Sequence, residues 1–267
     1  MDLEQQLILA LVQGLTEFLP VSSSGHLILP ATLLGWQDQG LAFDVAVHFG
    51  SLLAVLLYFR RDIVTLLLAW LSSLRGQASD DGRLAWWVIV ATLPAVVAGF
   101  LFNDFIETNL RNAWVLGTTT LVFGILLGLA QKFSVSAKQC RDLTLTMVLI
   151  IGFAQALALV PGTSRSGITI TAAAFLGLSL VEASRFSFLL SIPVIAGAAL
   201  LKTLDLIGDE TAVDWLGLSL ATGLSGITAF ACIGWFMRWV ERIGLIPFAV
   251  YRVILAAVIF AVAAGQL

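Results

Sequence analysis

Six apolar stretches dictate the surroundings of this chain before anything else about it is known. They cover Leu84–Phe102, Ala113–Ala130, Phe186–Leu201, Leu216–Met237, Ile246–Ala264 and the shorter Val45–Phe59, flanked by Phe43 and Arg60. A run of ~20 apolar residues, with ~17 tolerated, crosses the hydrocarbon layer of a bilayer as a helix. A soluble chain of 267 residues has too little interior to hide that much apolar surface. The residues are 59% hydrophobic and only 12% charged, against roughly 25% charged in soluble domains. A soluble globular enzyme and a disordered chain are both excluded, which leaves an all-α, polytopic integral membrane protein with six transmembrane helices.

Two further regions are apolar but broken. Leu7–Leu19 stops at Pro20 and continues as Val-Ser-Ser-Ser-Gly-His before a second apolar run, Leu27–Leu34. Leu143–Val160 stops at Pro161 and continues as Gly-Thr-Ser-Arg-Ser-Gly before Ile168–Leu178. Proline and glycine clusters end helices. In lipid, broken backbone survives only where protein or a water-filled cavity satisfies it. Each region is therefore expected to be a re-entrant hairpin of two half-helices.

Charge orders the crossings. Arg60, Arg61, Arg75 and Arg83 follow the first crossing; Lys132, Lys138 and Arg141 follow Ala130; Arg238 and Arg242 follow Met237. The intervening segments carry Asp104, Glu107 and Arg111, and then Lys202, Asp205, Asp209, Glu210 and Asp214. Basic and acidic segments alternate as six crossings require under the positive-inside rule. The first hairpin then enters from the outer face and the second from the inner face. One hairpin plus three crossings per half makes an inverted-topology repeat within one membrane domain, with halves of about residues 1–135 and 136–267. Faint sequence symmetry agrees: Gln13 lies twelve residues before Gly25, as Gln155 does before Gly167. The two hairpin tips are expected to meet near mid-membrane.

The tips carry the chemistry. The first reads Gln13-Gly-Leu-Thr-Glu17-Phe-Leu-Pro-Val-Ser22-Ser23-Ser24-Gly25-His26, with Gln13 and Glu17 on one helix face. The second reads Pro161-Gly162-Thr163-Ser164-Arg165-Ser166-Gly167. Both lead directly into a new half-helix, whose first N–H groups and positive dipole end point at the tip. Two such ends converging make an anion site, with hydroxyls and a guanidinium as donors matched to phosphate oxygens. Ser24 and Ser166 are expected to cap these half-helices. Gln13 and Gln155 could bond neighbouring helices. His26 is a candidate site residue, whereas His48, with no polar sequence neighbours inside a crossing, reads as structural. Tyr251 and Arg252 are expected to snorkel toward the inner surface. Asp44 and Glu182 are placed at the membrane surface. The tryptophans, among them Trp86, Trp87 and Trp114, are read as interfacial anchors.

Other chemistries find no support. A net charge of −3 with no long basic run argues against nucleic acid. Cys140 and Cys232 suggest no disulfide framework, and two histidines cannot build a multi-histidine metal site. The start MDLEQQ lacks the basic region of a cleaved signal peptide. Neither a nucleotide-phosphate loop nor a His-Glu-x-x-His zinc motif is present. With one carboxylate at the tips, a divalent ion would have to be shared with substrate phosphates.

These motifs resemble the undecaprenyl-diphosphatase family, the bacitracin-resistance type of membrane phosphatase. The likeness rests on Gln13 to His26 and on Pro161 to Gly167. It continues in Arg185-Phe-Ser-Phe-Leu-Leu-Ser-Ile-Pro193 and Pro247-Phe-Ala-Val-Tyr-Arg252, so it spans most of the chain. The resemblance implies hydrolysis of undecaprenyl diphosphate to undecaprenyl phosphate and inorganic phosphate, which recycles the lipid carrier of peptidoglycan synthesis. It also implies a bacterial inner-membrane setting, Mg²⁺ or Ca²⁺ dependence and bacitracin resistance. The family's acidic motif is Glu/Gln-x-x-x-Glu, and here its first position is Gln13, leaving Glu17 without an acidic partner. The family's serine falls on Ser23, its histidine on His26 and its arginine on Arg165.

On this reading a polyprenyl diphosphate enters from the membrane. Gln13, Ser22, Ser24, Gly25, Gly162, Thr163, Ser164 and Ser166 surround its phosphates, while Glu17, Ser23, His26 and Arg165 are the catalytic candidates. Glu17 shares the metal. Ser23 is the favoured nucleophile, with direct attack by His26 or a water activated by Glu17 as alternatives. Access from the periplasmic side is favoured, and a homodimer is left open. The second reading is a carrier that moves undecaprenyl phosphate across the bilayer, because broken helices in inverted repeats are also transporter architecture.

Overall fold

The computed structural model describes residues 2–36, 39–133, 137–206 and 214–265. Asp209 and Glu210, counted above in an acidic segment, lie outside the described residues, as does the boundary between the expected halves at 135 and 136. Among the described residues the chain is helical, and its one β contact is an isolated bridge between Lys138 and Leu178.

Six helices are long and apolar enough to cross a membrane. They are α3 (Gly40–Tyr58), α5 (Asp80–Phe105, continued as a π-turn over Ile106–Leu110), α6 (Ala113–Phe133), α9 (Leu180–Leu206), α10 (Trp215–Ile243) and α11 (Ile246–Ala263). Each contains or closely matches one of the six apolar stretches. The excess length at their ends is polar, and includes Asp80 and Asp81 in the first turn of α5 and Arg242 in the last turn of α10. Acidic residues at a helix start and basic residues at its end both complement the macrodipole.

The broken regions form two pairs of shorter helices, α1 (Leu3–Thr16) with α2 (Ser23–Leu34), and α7 (Leu145–Leu157) with α8 (Arg165–Phe175). One further helix, α4 (Arg60–Ser73), occupies the basic segment that the sequence reading treated only as a connection. Its pattern is weakly apolar, and only Leu66 is buried. It lies against α5, where Trp70 meets Trp86 edge-on and Trp86 donates to Ser73. Trp86 and Trp114 are exposed as anchors would be, but Trp87 packs against the core.

The helices pack in matched pairs. Helix α1 lies on α10, and α7 lies on α5; α3 lies on α10, and α9 on α5; α2 touches α11, and α8 touches α6. Lipid gives little hydrophobic push between helices, so small residues and polar contacts do the joining. On α3, a Cβ at Gly50 would collide with the Thr222 backbone of α10, so the two helices touch backbone to backbone there. Around that crossing Ser225 donates to the Val47 carbonyl at 2.8 Å and Thr222 to the Ala46 carbonyl at 3.1 Å.

Candidate active site

The two helix breaks meet at Glu17. Glu17 caps the C-terminus of α1, and its backbone N–H still bonds back to the Gln13 carbonyl at 2.9 Å, which fixes where its side chain leaves the helix. Its Oε2 accepts from Ser23 Oγ at 2.7 Å and from Gln13 Nε2 at 3.0 Å. Its Oε1 accepts from Arg165 Nη2 at 3.0 Å. The side chains of Arg165 and Glu17 are 11% and 8% exposed, so this ion pair is shielded from solvent, and removing either partner strands a buried charge.

Arg165 is fixed on three sides. Nη2 holds Glu17, Nη1 donates to the Ser187 carbonyl of α9 at 3.3 Å, and the guanidinium lies 5.7 Å from the Phe18 ring centroid. Two backbone-directed ties join the breaks as well: Ser166 Oγ donates to the Leu19 carbonyl at 2.9 Å, and the Gly162 N–H reaches Ser24 Oγ at 3.5 Å. Ser24 and Ser166 thus tie one break to the other instead of capping their helices. The N-caps are Ser22 and Ser164, three residues before Gly25 and Gly167.

Those two serines are the described non-glycine residues with positive φ, at 77° and 69°. Holding a serine there costs roughly 1–3 kcal/mol, and such positions persist only where surrounding structure fixes them. Ser164 caps α8 by accepting from the Gly167 N–H at 3.1 Å, while Ser22 makes no side-chain cap on α2. Both line one cavity of about 220 Å³. Its polar wall holds Glu17, Ser23, Arg165, Asp44, His48 and Lys202, and its apolar wall comes mainly from α9. A second cavity shares Ser24, Asp44, His48 and Lys202 and runs on toward Glu107 and Arg111 at the end of α5. The cleft therefore opens at the ends that carry the acidic connecting segments.

Not every candidate reaches this cavity. Gln13 sits behind Glu17, fully buried. Gly25, Gly162, Thr163 and Ser166 form the backs of the two breaks and do not line the cavity. His26 faces α11. Its Nδ1 lies 2.7 Å from the Ser22 carbonyl, which can only accept, so Nδ1 carries the proton. Its Nε2 therefore accepts from the Tyr251 hydroxyl at 2.5 Å, with the two rings stacked. Gln155 behaves as expected of an interhelical bond, donating to the Ala91 carbonyl at 3.2 Å.

The donor set can be tested against a cation. Among the described residues no group of three or more His, Cys, Asp or Glu side chains could hold a metal ion. Both Glu17 oxygens already face donors, one of them the Arg165 guanidinium. The residues thus do not fit a protein-only metal cage. The carboxylates on the cavity wall are Glu17 and Asp44.

A family model described as bacitracin resistance protein BacA matches residues 6–258. This chain belongs to the BacA family. It is also 55% identical over 261 residues to a protein of Teredinibacter turnerae named undecaprenyl-diphosphatase, a match covering 97% of this chain and 99% of that protein. The helix breaks that meet at Glu17 lie well inside the region matched to BacA.

Four residues of this BacA family member take places that sequence reasoning did not give them. Arg252, expected to snorkel, is fully buried and donates to the carbonyls of Gly162 at 2.9 Å, Thr163 at 3.0 Å, Thr120 at 3.2 Å and Thr119 at 3.4 Å. Tyr251, expected to snorkel beside it, holds His26. His48, read as structural, lines the cavity with its Nε2 3.9 Å from Glu17 Oε2. Asp44, placed at a membrane surface, lines the same wall one turn earlier on α3. The usable signal was the α3 spacing, since Asp44 and His48 fall one above the other on a helix. Glu182, also assigned to a surface, lies in the first turn of α9, where it accepts from the Cys140 N–H at 2.9 Å and lies 3.8 Å from Arg185 Nη1. Arg185 in turn binds Asp62 of α4.

Proposed function

We propose that this chain is an undecaprenyl-diphosphate phosphatase of the bacterial inner membrane, hydrolysing undecaprenyl diphosphate to undecaprenyl phosphate and inorganic phosphate where its two helix breaks meet. The family and the 55% identical relative named undecaprenyl-diphosphatase support the activity. The observation that carries the chemistry is the Glu17 carboxylate, which holds the Ser23 hydroxyl on one oxygen and the Arg165 guanidinium on the other. That is a nucleophile, its base and a phosphate-binding cation in one shielded cavity.

In this reading α1–α2 and α7–α8 are re-entrant hairpins of two inverted halves, and the cavity faces the periplasm. The matched packing of the two halves and the paired strained serines support the repeat. The acidic segments at the open end support the orientation.

The prenyl tail stays among the apolar side chains of α9 while the diphosphate reaches Arg165 and the N-termini of α2 and α8. Glu17 takes the Ser23 proton as Oγ attacks the terminal phosphorus, and undecaprenyl phosphate leaves. Phosphoryl transfer asks mainly for positioning and charge neutralisation, which the fixed guanidinium and helix ends provide. A divalent ion shared between the diphosphate and Glu17 would neutralise further charge. His26 is a poor nucleophile in this arrangement, because its Nε2 is engaged by Tyr251 outside the cavity.

The deciding experiment is to trap the phosphoenzyme from purified protein and a labelled prenyl diphosphate, with inorganic phosphate release followed in parallel, with and without chelator. Label on Ser23 is expected. Label on His26, or turnover with no phosphoenzyme, overturns the serine reading.

A further inference from the structure

His48 is an imidazole on the cavity wall that hydrolysis through Ser23 has so far left idle. Its Nδ1 lies 2.7 Å from the Asp44 carbonyl oxygen one turn earlier on α3. A carbonyl only accepts, so Nδ1 carries the proton, and the lone pair of the neutral ring sits on Nε2. That nitrogen is 3.9 Å from Glu17 Oε2, the oxygen that also receives Ser23 and Gln13. This gap is too long for a direct hydrogen bond, and it puts Nε2 within reach of a water seated against Ser23. The ring is 34% exposed and lines both the inner cavity and its continuation toward the open end.

With the prenyl monophosphate leaving as its anion, the Ser23 proton stays on Glu17, and hydrolysis through Ser23 then needs a second proton acceptor. In the first step the Ser23 Oγ–P bond forms, the bridging P–O bond breaks, and Glu17 takes the hydroxyl proton. In the second, water attacks phosphorus, the Oγ–P bond breaks, and Glu17 returns its proton to Oγ. The attacking water must also lose a proton, while Glu17 is still carrying one. Gln13, the other side chain on this oxygen, is an amide and cannot take it.

We infer that His48 Nε2 is the base of the second step. It accepts one proton of the water, the remaining hydroxyl stays on the departing phosphate, and the imidazolium releases its proton to solvent at the open end. The inference rests on the proposed Ser23 chemistry. The charged groups that share the cavity wall with His48 are Glu17 from the first break, Arg165 of α8, Lys202 of α9 and Asp44 of its own helix. From α10, packed behind α3, come the hydroxyls of Thr222 and Ser225, which donate to α3 carbonyls.

The test is His48→Gln in detergent with a prenyl diphosphate. The expected result is a burst of one equivalent of prenyl monophosphate with phosphoserine accumulating at position 23. Steady phosphate release falls about 10²-fold or more. Adding Gln13→Glu to that variant sets a carboxylate against the same oxygen and restores at least tenfold of the lost turnover, which a packing defect at position 48 would not allow. Wild-type phosphate release overturns the inference, and so does loss of the burst together with turnover. Absence of phosphoserine in both the wild type and His48→Gln marks a different failure, that of the Ser23 reading itself.

Discussion

Arg252 holds the Gly162 carbonyl from behind the second helix break, with Nη2 donating to it at 2.9 Å. The same nitrogen takes the Thr163 carbonyl at 3.0 Å. In a planar trans peptide the carbonyl and the following N–H point in opposite directions. Pulling the Thr163 carbonyl back toward α11 therefore turns the Ser164 N–H toward the cavity that Ser164 lines. Arg252 thus acts as a positioning residue, since it lines no part of that cavity itself.

Arg252→Met would leave those buried carbonyls without their donor, at a cost of about 1–3 kcal/mol for each group that finds no other partner. The expected outcome is a lower thermal unfolding midpoint in detergent together with lower phosphate release. An unchanged midpoint would show that the second break does not depend on this guanidinium.

Arg165→Lys keeps the positive charge but gives up the planar fork that reaches Glu17 and Ser187 at once. A fall of about 10²–10³-fold in phosphate release is expected, the usual size for losing one preorganised donor at a developing anion. Near-normal turnover would remove Arg165 from phosphate binding.

Glu17→Ala removes the group that accepts from Ser23 and Arg165, whereas Gln13→Ala removes one of the donors to it. The glutamate variant is expected to lose at least tenfold more activity than the glutamine variant. The opposite ranking in phosphate release would overturn the assignment of Glu17 as base.

Cys140 lies in the short turn Cys140–Asp142, with burial and the neighbouring Glu182 carboxylate pushing its thiol well above the ordinary range. A raised pKa favours the neutral thiol, which is unreactive. In the folded protein Cys140 is expected to resist alkylation at pH 8 and to react once detergent-unfolded, as read by mass spectrometry. Rapid labelling of the native protein would contradict this.

The chain alone determined its six crossings, because a run of apolar residues long enough to span a bilayer is a property of local composition. It also determined the two helix breaks, because Pro20, Pro161 and the glycines near them interrupt a helix wherever they occur. The motif residues Glu17, Ser23 and Arg165 were legible for the same reason. The charge pattern also brought the two tips together, but only tertiary structure decided that Glu17 and Arg165 pair directly across them. It likewise decided that Arg252 is buried behind them, that Tyr251 turns His26 away from the cavity and that His48 faces into it. An apolar helix carries one polar residue equally well on any face, and which face meets the cavity depends on how α3 and α11 pack against other helices. The helix α4 was missed on the same ground, since a half-polar segment gains its helical stability from the α5 surface it lies on, and not from its own pattern.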